Sequence, residues 1–273
     1  MLYIVATPIG NLEDITLRAL RILREVDFII CEDTRVTAKL LAHYEIKKTL
    51  ISYHHHSKLD KINYIIDRLE KGENAALVSD AGTPGISDPG GILVNEILKR
   101  KNRSSGFIVP TQEECGAGMQ NFKDKQNGSI ASSLIPRDED NGAANTRINI
   151  APIPGACAAI TLASVSGIAM DKFLFLGFPP HKKGRKTFFE KVCENDMPVI
   201  FYESCHRILK ALLEISELSV NKNSVQIILG REMTKMFETI YRGNMDNVLR
   251  ELESDKNNLK GEFTVIVHKT DLN

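Results

Sequence analysis

The chain has 273 residues, 42% of them hydrophobic and 26% charged, a balance that excludes disorder throughout and suits a globular protein long enough for two domains. Lys and Arg total 35 and Asp and Glu total 35, so no global positive field exists and any nucleic-acid contact has to come from local patches. The five cysteines are scattered and never spaced CxxC, which supports neither a disulfide framework nor a zinc site. With no apolar run of about 18 residues, the expectation is a cytoplasmic protein, neither secreted nor membrane-spanning.

Short apolar, β-rich runs at residues 2–5, 28–31, 50–53, 75–79 and 148–152 alternate with helix-like stretches at 15–25, 34–43, 57–71, 89–100 and 155–166. Alternation of this kind predicts an α/β fold with a mostly parallel sheet and helices on both faces. Residues 102–147 interrupt it: Ser, Asn, Gly, Asp, Gln and Lys dominate and no apolar period persists, which is unusual inside a compact domain. Excising them would join Lys101 to Ile148 as a helix-to-strand connection, so the segment reads as an in-frame insertion that costs little closure entropy. A functional loop that contacts a nucleic acid is the rival reading. The pattern pauses around Ser166-Gly167-Ile168, placing a boundary near residue 170 between domains 1–169 and 170–273. It restarts with a strand over 173–178, a basic helix from about Lys182, a strand over 198–202, a helix from Ile208, and strands near 225–229, 238–241 and 263–268.

Three strand-to-helix turns are built from small residues: Ala6-Thr7-Pro8-Ile9-Gly10-Asn11, Ser79-Asp80-Ala81-Gly82-Thr83-Pro84-Gly85, and Ile153-Pro154-Gly155-Ala156-Cys157. Gly and Pro let bare backbone approach a ligand at the carboxyl ends of strands, where open α/β sheets bind small molecules. Plain connections are the bland alternative. The opening turn lacks GxGxxG and the chain lacks GxxxxGK[ST], which argues against NAD and ATP.

Together with Cys31-Glu32-Asp33-Thr34-Arg35, Gly230-Arg231-Glu232 and Lys260-Gly261-Glu262-Phe263, these turns resemble the ribosomal small-subunit RNA cytidine 2′-O-ribose methyltransferase branch of the tetrapyrrole methylase superfamily. The resemblance spans nearly the whole chain outside 102–147. It implies two α/β domains of tetrapyrrole methylase type with an S-adenosylmethionine cleft between them, a cytidine ribose of 16S rRNA or of the assembled small subunit as acceptor, and a homodimer. Cofactor contacts are implied at Asp80, Thr83 and the Ala156-Cys157 turn, with main-chain groups of Ala81 and Gly82 beside them. Pro8 and Gly10 would close a first loop on the cofactor, and Leu176, Gly177 and Phe178 would form the other wall. Asp80 also reads as a helix cap or turn former.

Methyl transfer to a ribose hydroxyl needs alignment and removal of one proton. Glu32, Asp33 and Arg35 follow an apolar strand, where a carboxylate could take the proton and the arginine could hold a phosphate. A buried Asp33–Arg35 pair that merely orients a loop is an equal alternative, and Glu203 is a weaker candidate base. For RNA, the cluster His181-Lys182-Lys183-Gly184-Arg185-Lys186 offers phosphate contacts from Lys182, Lys183, Arg185 and Lys186, or else simply starts a solvated helix. His54 and His55 could stack on or hydrogen-bond a splayed base; consecutive histidines after a strand face alternately, which disfavours a metal site. Arg231, with Glu232 and Lys235, lines the same cleft or joins an interdomain ion network. A tetrapyrrole or protein side chain as acceptor, and a noncatalytic RNA-binding relative, stand as alternatives.

Overall fold

The computed structural model describes residues 1–54, 59–88, 90–103, 148–219 and 225–269. The expectations for His55 and for nearly all of the 102–147 segment lie outside the described residues.

Strands β1 (Leu2–Val5), β2 (Phe28–Cys31), β3 (Thr49–Ser52), β4 (Ala75–Leu77) and β5 (Ile150–Ile153) pair in parallel in the order β3-β2-β4-β1-β5. Helices α1 (Leu17–Glu25), α2 (Thr34–His43), α3 (Leu59–Glu70) and α4 (Gly90–Arg103) intervene, and α5 (Ala158–Ser164) follows. Every residue of β2 is buried because both faces of this sheet are covered. Phe28 and Ile30 pack with Ile62, Ile65 and Ile66 of α3 on one face, while Ile29 and Cys31 pack with Ile22 and Leu23 of α1 on the other. Local chemistry sets the helix starts: the Thr16 hydroxyl accepts from Ala19 N at 3.1 Å, ahead of the buried stripe Ala19, Ile22 and Leu23.

The second sheet contains β6 (Leu174–Phe175), β7 (Val199–Ser204), β8 (Val225–Arg231), β9 (Thr239–Asn244) and β10 (Glu262–Lys269) in the order β6-β7-β10-β8-β9. Only the β6–β7 pairing is parallel; β7–β10, β10–β8 and β8–β9 are antiparallel. Its helices are α6 (Arg185–Glu194), α7 (Ile208–Leu218) and α8 (Met245–Glu253), the last not anticipated from the sequence. The strand predicted over 173–178 shrinks to two residues because Gly177 turns to φ +65°, and the basic helix begins at Arg185, after Gly184 at φ +85°. One face of this sheet packs Phe201 and Val265 against Phe189, Ile208 and Leu212. The opposite face buries Ile200, Ile228 and Ile266 with Ala159 and Leu162 of α5, so the helix that follows the first sheet also covers the second.

Candidate active site between the two sheets

The loops after β1, β4 and β5 leave the same carboxyl edge and are laced to one another. Thr7 N donates to Gly82 O at 2.9 Å and Gly82 N to Thr7 O at 3.1 Å, while Thr7 Oγ1 donates to Ser79 O at 3.2 Å. Thr83 Oγ1 donates to Ala156 O at 3.1 Å, tying in the third turn. Gly82 sits at φ +82°, where a side chain is strained, and a Cβ there would lie 3.3 Å from Ile9 Cγ2. Asp88 Oδ1 accepts from Gly85 N and Gly90 N, both at 2.8 Å, and folds the end of the second turn into α4.

Between these turns and the second sheet lies a cavity of about 360 Å³. Its first wall is Ile9, Glu32, Cys157, Ala158 and residues 79–83 and 86–88; its second is Phe178, Met233 and residues 202–204 and 262–264. Five lining side chains carry carboxylates, Glu32, Asp80, Asp88, Glu203 and Glu262, and no Lys, Arg or His lines it among the described residues. Asp80 Oδ1 accepts from Asp33 N at 3.0 Å, which joins the β2 and β4 loops.

Of the residues singled out from sequence, Glu32, Asp80, Ala81, Gly82, Thr83, Cys157 and Phe178 line the cavity. Ala156 stands behind the wall with its carbonyl held by Thr83, and Gly177 brings its Cα to the edge, where an added Cβ would lie 3.7 Å from Ser87 Oγ. Leu176 packs against the second core, away from the lining. Pro8 and Gly10 also lie off the lining. Gly10 instead meets the segment after β8: a Cβ would overlap Lys235 Cγ and come within 3.0 Å of Thr234 Oγ1, and Asn11 N donates to that hydroxyl at 3.2 Å. That segment is strained, with Glu232 at φ 51° and Thr234 at φ 66°. The Lys235 ammonium clamps it by donating to Glu232 Oε1 at 2.9 Å and Glu262 Oε2 at 2.8 Å, so Glu232 and Lys235 form an ion network at the contact between the halves.

Asp33 is a cap and an ion-pair partner. Its Oδ1 accepts from Arg35 N at 2.8 Å and its Oδ2 from Arg35 Nη2 at 2.6 Å. The Arg35 guanidinium holds the Asp33 carboxyl at about 2, which makes it a weak base, and Asp33 does not line the cavity. These contacts favour a loop-orienting pair over Asp33 as the proton acceptor, and the pair is exposed where a buried one was expected.

Two arginines expected at RNA are buried. Arg185 donates to Glu203 Oε2 from Nη1 at 3.2 Å and to Glu214 Oε2 from Nε at 2.8 Å, and its guanidinium lies 4.9 Å from the Phe189 ring centre. Arg231 donates to Lys260 O at 2.7 Å and Phe237 O at 3.2 Å. Neither presents a guanidinium to a phosphate; Lys182, Lys183 and Lys186 of the same run are exposed. His54 is exposed but off the cavity, and the Arg35 side chain is 85% exposed.

Glu203, the weaker candidate base, is saturated. Its Oε1 accepts from Arg207 Nη2 and from Ser204 N, both at 2.8 Å, opposite the Arg185 contact to Oε2. Tyr202 was not anticipated. Its hydroxyl accepts from Ala159 N at 3.2 Å and so supplies the cap that Cys157 does not give α5. Burial pushes that hydroxyl far above the usual tyrosine range. Met233 and Thr264 were missed as well, although Glu262 and Phe263 lay in a stretch quoted for the resemblance.

Solved methyltransferase structures share this two-lobed α/β fold. The methyltransferase CobJ shares the fold with a TM-score of 0.60 at 14% identity, over 98% of this chain and 93% of that chain. A uroporphyrin-III C-methyltransferase from Thermus thermophilus, complexed with S-adenyl homocysteine, does so at 0.54 and 11%, over 97% and 96%. The model of the tetrapyrrole (corrin/porphyrin) methylases matches residues 1–110 and 139–249, and the chain belongs to that family. The unmatched residues between those stretches fall inside the segment read as an insertion. Relatives named ribosomal RNA small subunit methyltransferase I come from Haemophilus influenzae, at 42% identity, and Pasteurella multocida, at 40%. Each alignment covers 268 residues, 98% of this chain and 78% of the relative. Among the described residues no helix is long and apolar enough to cross a membrane, and no cluster of three or more His, Cys, Asp or Glu could hold a metal.

Proposed function

We propose that this chain transfers a methyl group from S-adenosylmethionine to the ribose 2′-hydroxyl of a cytidine in 16S ribosomal RNA of the small subunit. The observation that carries the reading is a cavity walled by three main-chain turns and carrying the carboxylates of Glu32, Asp80 and Asp88, with Glu203 and Glu262 paired to Arg185, Arg207 and Lys235 and no cationic lining side chain among the described residues. The donor bears a sulfonium, an ammonium and a carboxylate, net positive, and a confined cavity with surplus carboxylates favours a net cation. A volume of about 360 Å³ falls within the range of small-ligand sites. The names of the relatives, which are 40–42% identical, support small-subunit ribosomal RNA as the acceptor, and the motif resemblance supports a cytidine 2′-hydroxyl within it. Phosphates are repelled by such a lining and stay at the rim, near the exposed Lys182, Lys183, Lys186 and Arg35.

When bound, the donor supplies a methyl carbon activated by positively charged sulfur. The 80–83 turn and the Ala156-Cys157 turn hold and orient it through main-chain groups, and Asp80 fixes the first of these against the β2 loop. Glu32, on the cavity wall, takes the proton of the acceptor hydroxyl. A domain division near residue 170 gives each domain one wall, and the protein works as a cytoplasmic homodimer.

Ribose methylation is mapped by mass spectrometry in rRNA from cells with and without this gene. The expected result is loss of a single 2′-O-methylcytidine from 16S rRNA; an unchanged map, or tritiated methyl in a small molecule, would overturn the acceptor. Calorimetry showing no uptake of S-adenosylmethionine or S-adenosylhomocysteine would overturn the donor.

A further inference from the structure

Phe178 is 55% exposed although it lines the cavity, and Ile86 is 49% exposed on the opposite wall. The two loops approach closely there, with Ser87 Oγ 3.7 Å from where a Gly177 Cβ would stand. Phe178 is nonetheless held in place. Its ring centre lies 5.3 Å from that of Tyr202, which makes an edge contact with Phe175 at 5.2 Å and is anchored through its hydroxyl to Ala159 N. The backbone is fixed on either side, by Tyr202 N donating to Gly177 O at 2.9 Å and by Pro179-Pro180. A large apolar ring, rigidly buttressed yet open to solvent at the mouth of a ligand cavity, is a surface prepared for a flat partner.

The surrounding charge selects that partner. Inside the mouth the charged lining side chains among the described residues are all carboxylates, while Lys182 and Lys183 stand exposed four and five residues beyond Phe178. An aromatic face flanked by cations on one side and anions on the other suits an unpaired nucleotide whose base stacks and whose phosphates remain outside. Such a nucleotide has to leave its helix before its ribose can enter.

We propose that Phe178 and Ile86 form a jaw that grips the nucleobase of the target nucleotide, with Tyr202 as the positioning residue behind it. The ring thus belongs to the acceptor subsite and not to the cofactor wall. This proposal rests on the reading of the acceptor as RNA.

The test compares wild type, Phe178→Ala, Phe178→Trp and Tyr202→Phe on small ribosomal subunits from a strain deleted for the corresponding gene, with S-adenosylmethionine affinity measured separately by calorimetry. Phe178→Ala is expected to raise KM for the particles about 5- to 160-fold, the span of base–aromatic stacking strengths, with donor affinity unchanged. Phe178→Trp restores most of the loss, and Tyr202→Phe moves KM in the same direction by a smaller factor. A parallel loss of donor affinity in Phe178→Ala would assign the ring to the cofactor and overturn the jaw, as would unaltered methylation kinetics. If the wild-type protein binds the donor but methylates no particle, the acceptor reading falls and takes the jaw with it; wild-type methylation with an unaffected Phe178→Ala removes the jaw alone.

Discussion

Glu203 lines the cavity, yet its environment is structural, and Glu203→Gln separates the two roles. The carboxylate is 1% exposed and held by Arg207, Arg185 and the Ser204 amide. Glutamine keeps one acceptor oxygen but turns an NH2 toward one of the guanidinium groups and leaves half-buried Arg207 without a counter-charge, while buried Arg185 keeps only Glu214. Removing one member of a buried ion pair costs about 3–5 kcal/mol, and the retained oxygen puts this variant near about 3 kcal/mol. A chain of this size loses about 2–4 °C of Tm per kcal/mol, so the melting temperature should fall by about 6–12 °C. Melting is followed by circular dichroism, and methyl transfer is assayed well below the variant's Tm, where kcat should stay within about threefold of wild type. A Tm shift under about 2 °C accompanied by a hundredfold loss of kcat would refute the structural assignment and restore Glu203 as a candidate base.

Glu32→Gln should lower kcat by about 10²–10⁴ while calorimetry finds donor affinity nearly unchanged; an unaltered kcat removes Glu32 as the base. Asp33→Asn should leave the pH profile of methyl transfer unaltered, because the Asp33 carboxyl titrates at about 2. Since that value lies below the unfolded one, the stabilisation is full above about pH 4 and lost as pH falls through about 2. The Tm gap between wild type and Asp33→Asn should accordingly narrow over that window; a constant gap contradicts the ion pair as its source. Replacing Lys182 and Lys183 with Ala should reduce the slope of log affinity for RNA against log salt by about 0.7 for each phosphate no longer neutralised, measured by filter binding. An unchanged slope places RNA elsewhere.

The first sheet was legible because its apolar runs are compact and separated by periodic stretches: β1 and β2 start and stop where the apolar residues do, and Thr16 marks α1. Strand direction in the second sheet was not, since β8 and β10 are apolar runs of the kind that either orientation produces, and pairing between residues 263 and 231 is non-local. The turns at 79–83 and 156–157 announced themselves through small residues, and they do line the cavity or back it. Arg185 misled because a basic run reads as solvated. What buries it are carboxylates 18 and 29 residues further along, Glu203 and Glu214, and only the folded chain reveals their proximity. Tyr202 was hidden for a similar reason: the amide it caps lies 43 residues earlier, in the helix that follows the first sheet.

The position of β10 governs the order in which this molecule can be assembled. It is the last described strand, yet it lies between β7 and β8 at the middle of its sheet and carries residues 262–264 of the cavity. A nascent chain halted before residue 262 holds β7 and β8 with bare edges facing a gap, a ready template for wrong pairing. Until β10 is free to insert, the cavity lacks the part of its second wall that residues 262–264 supply.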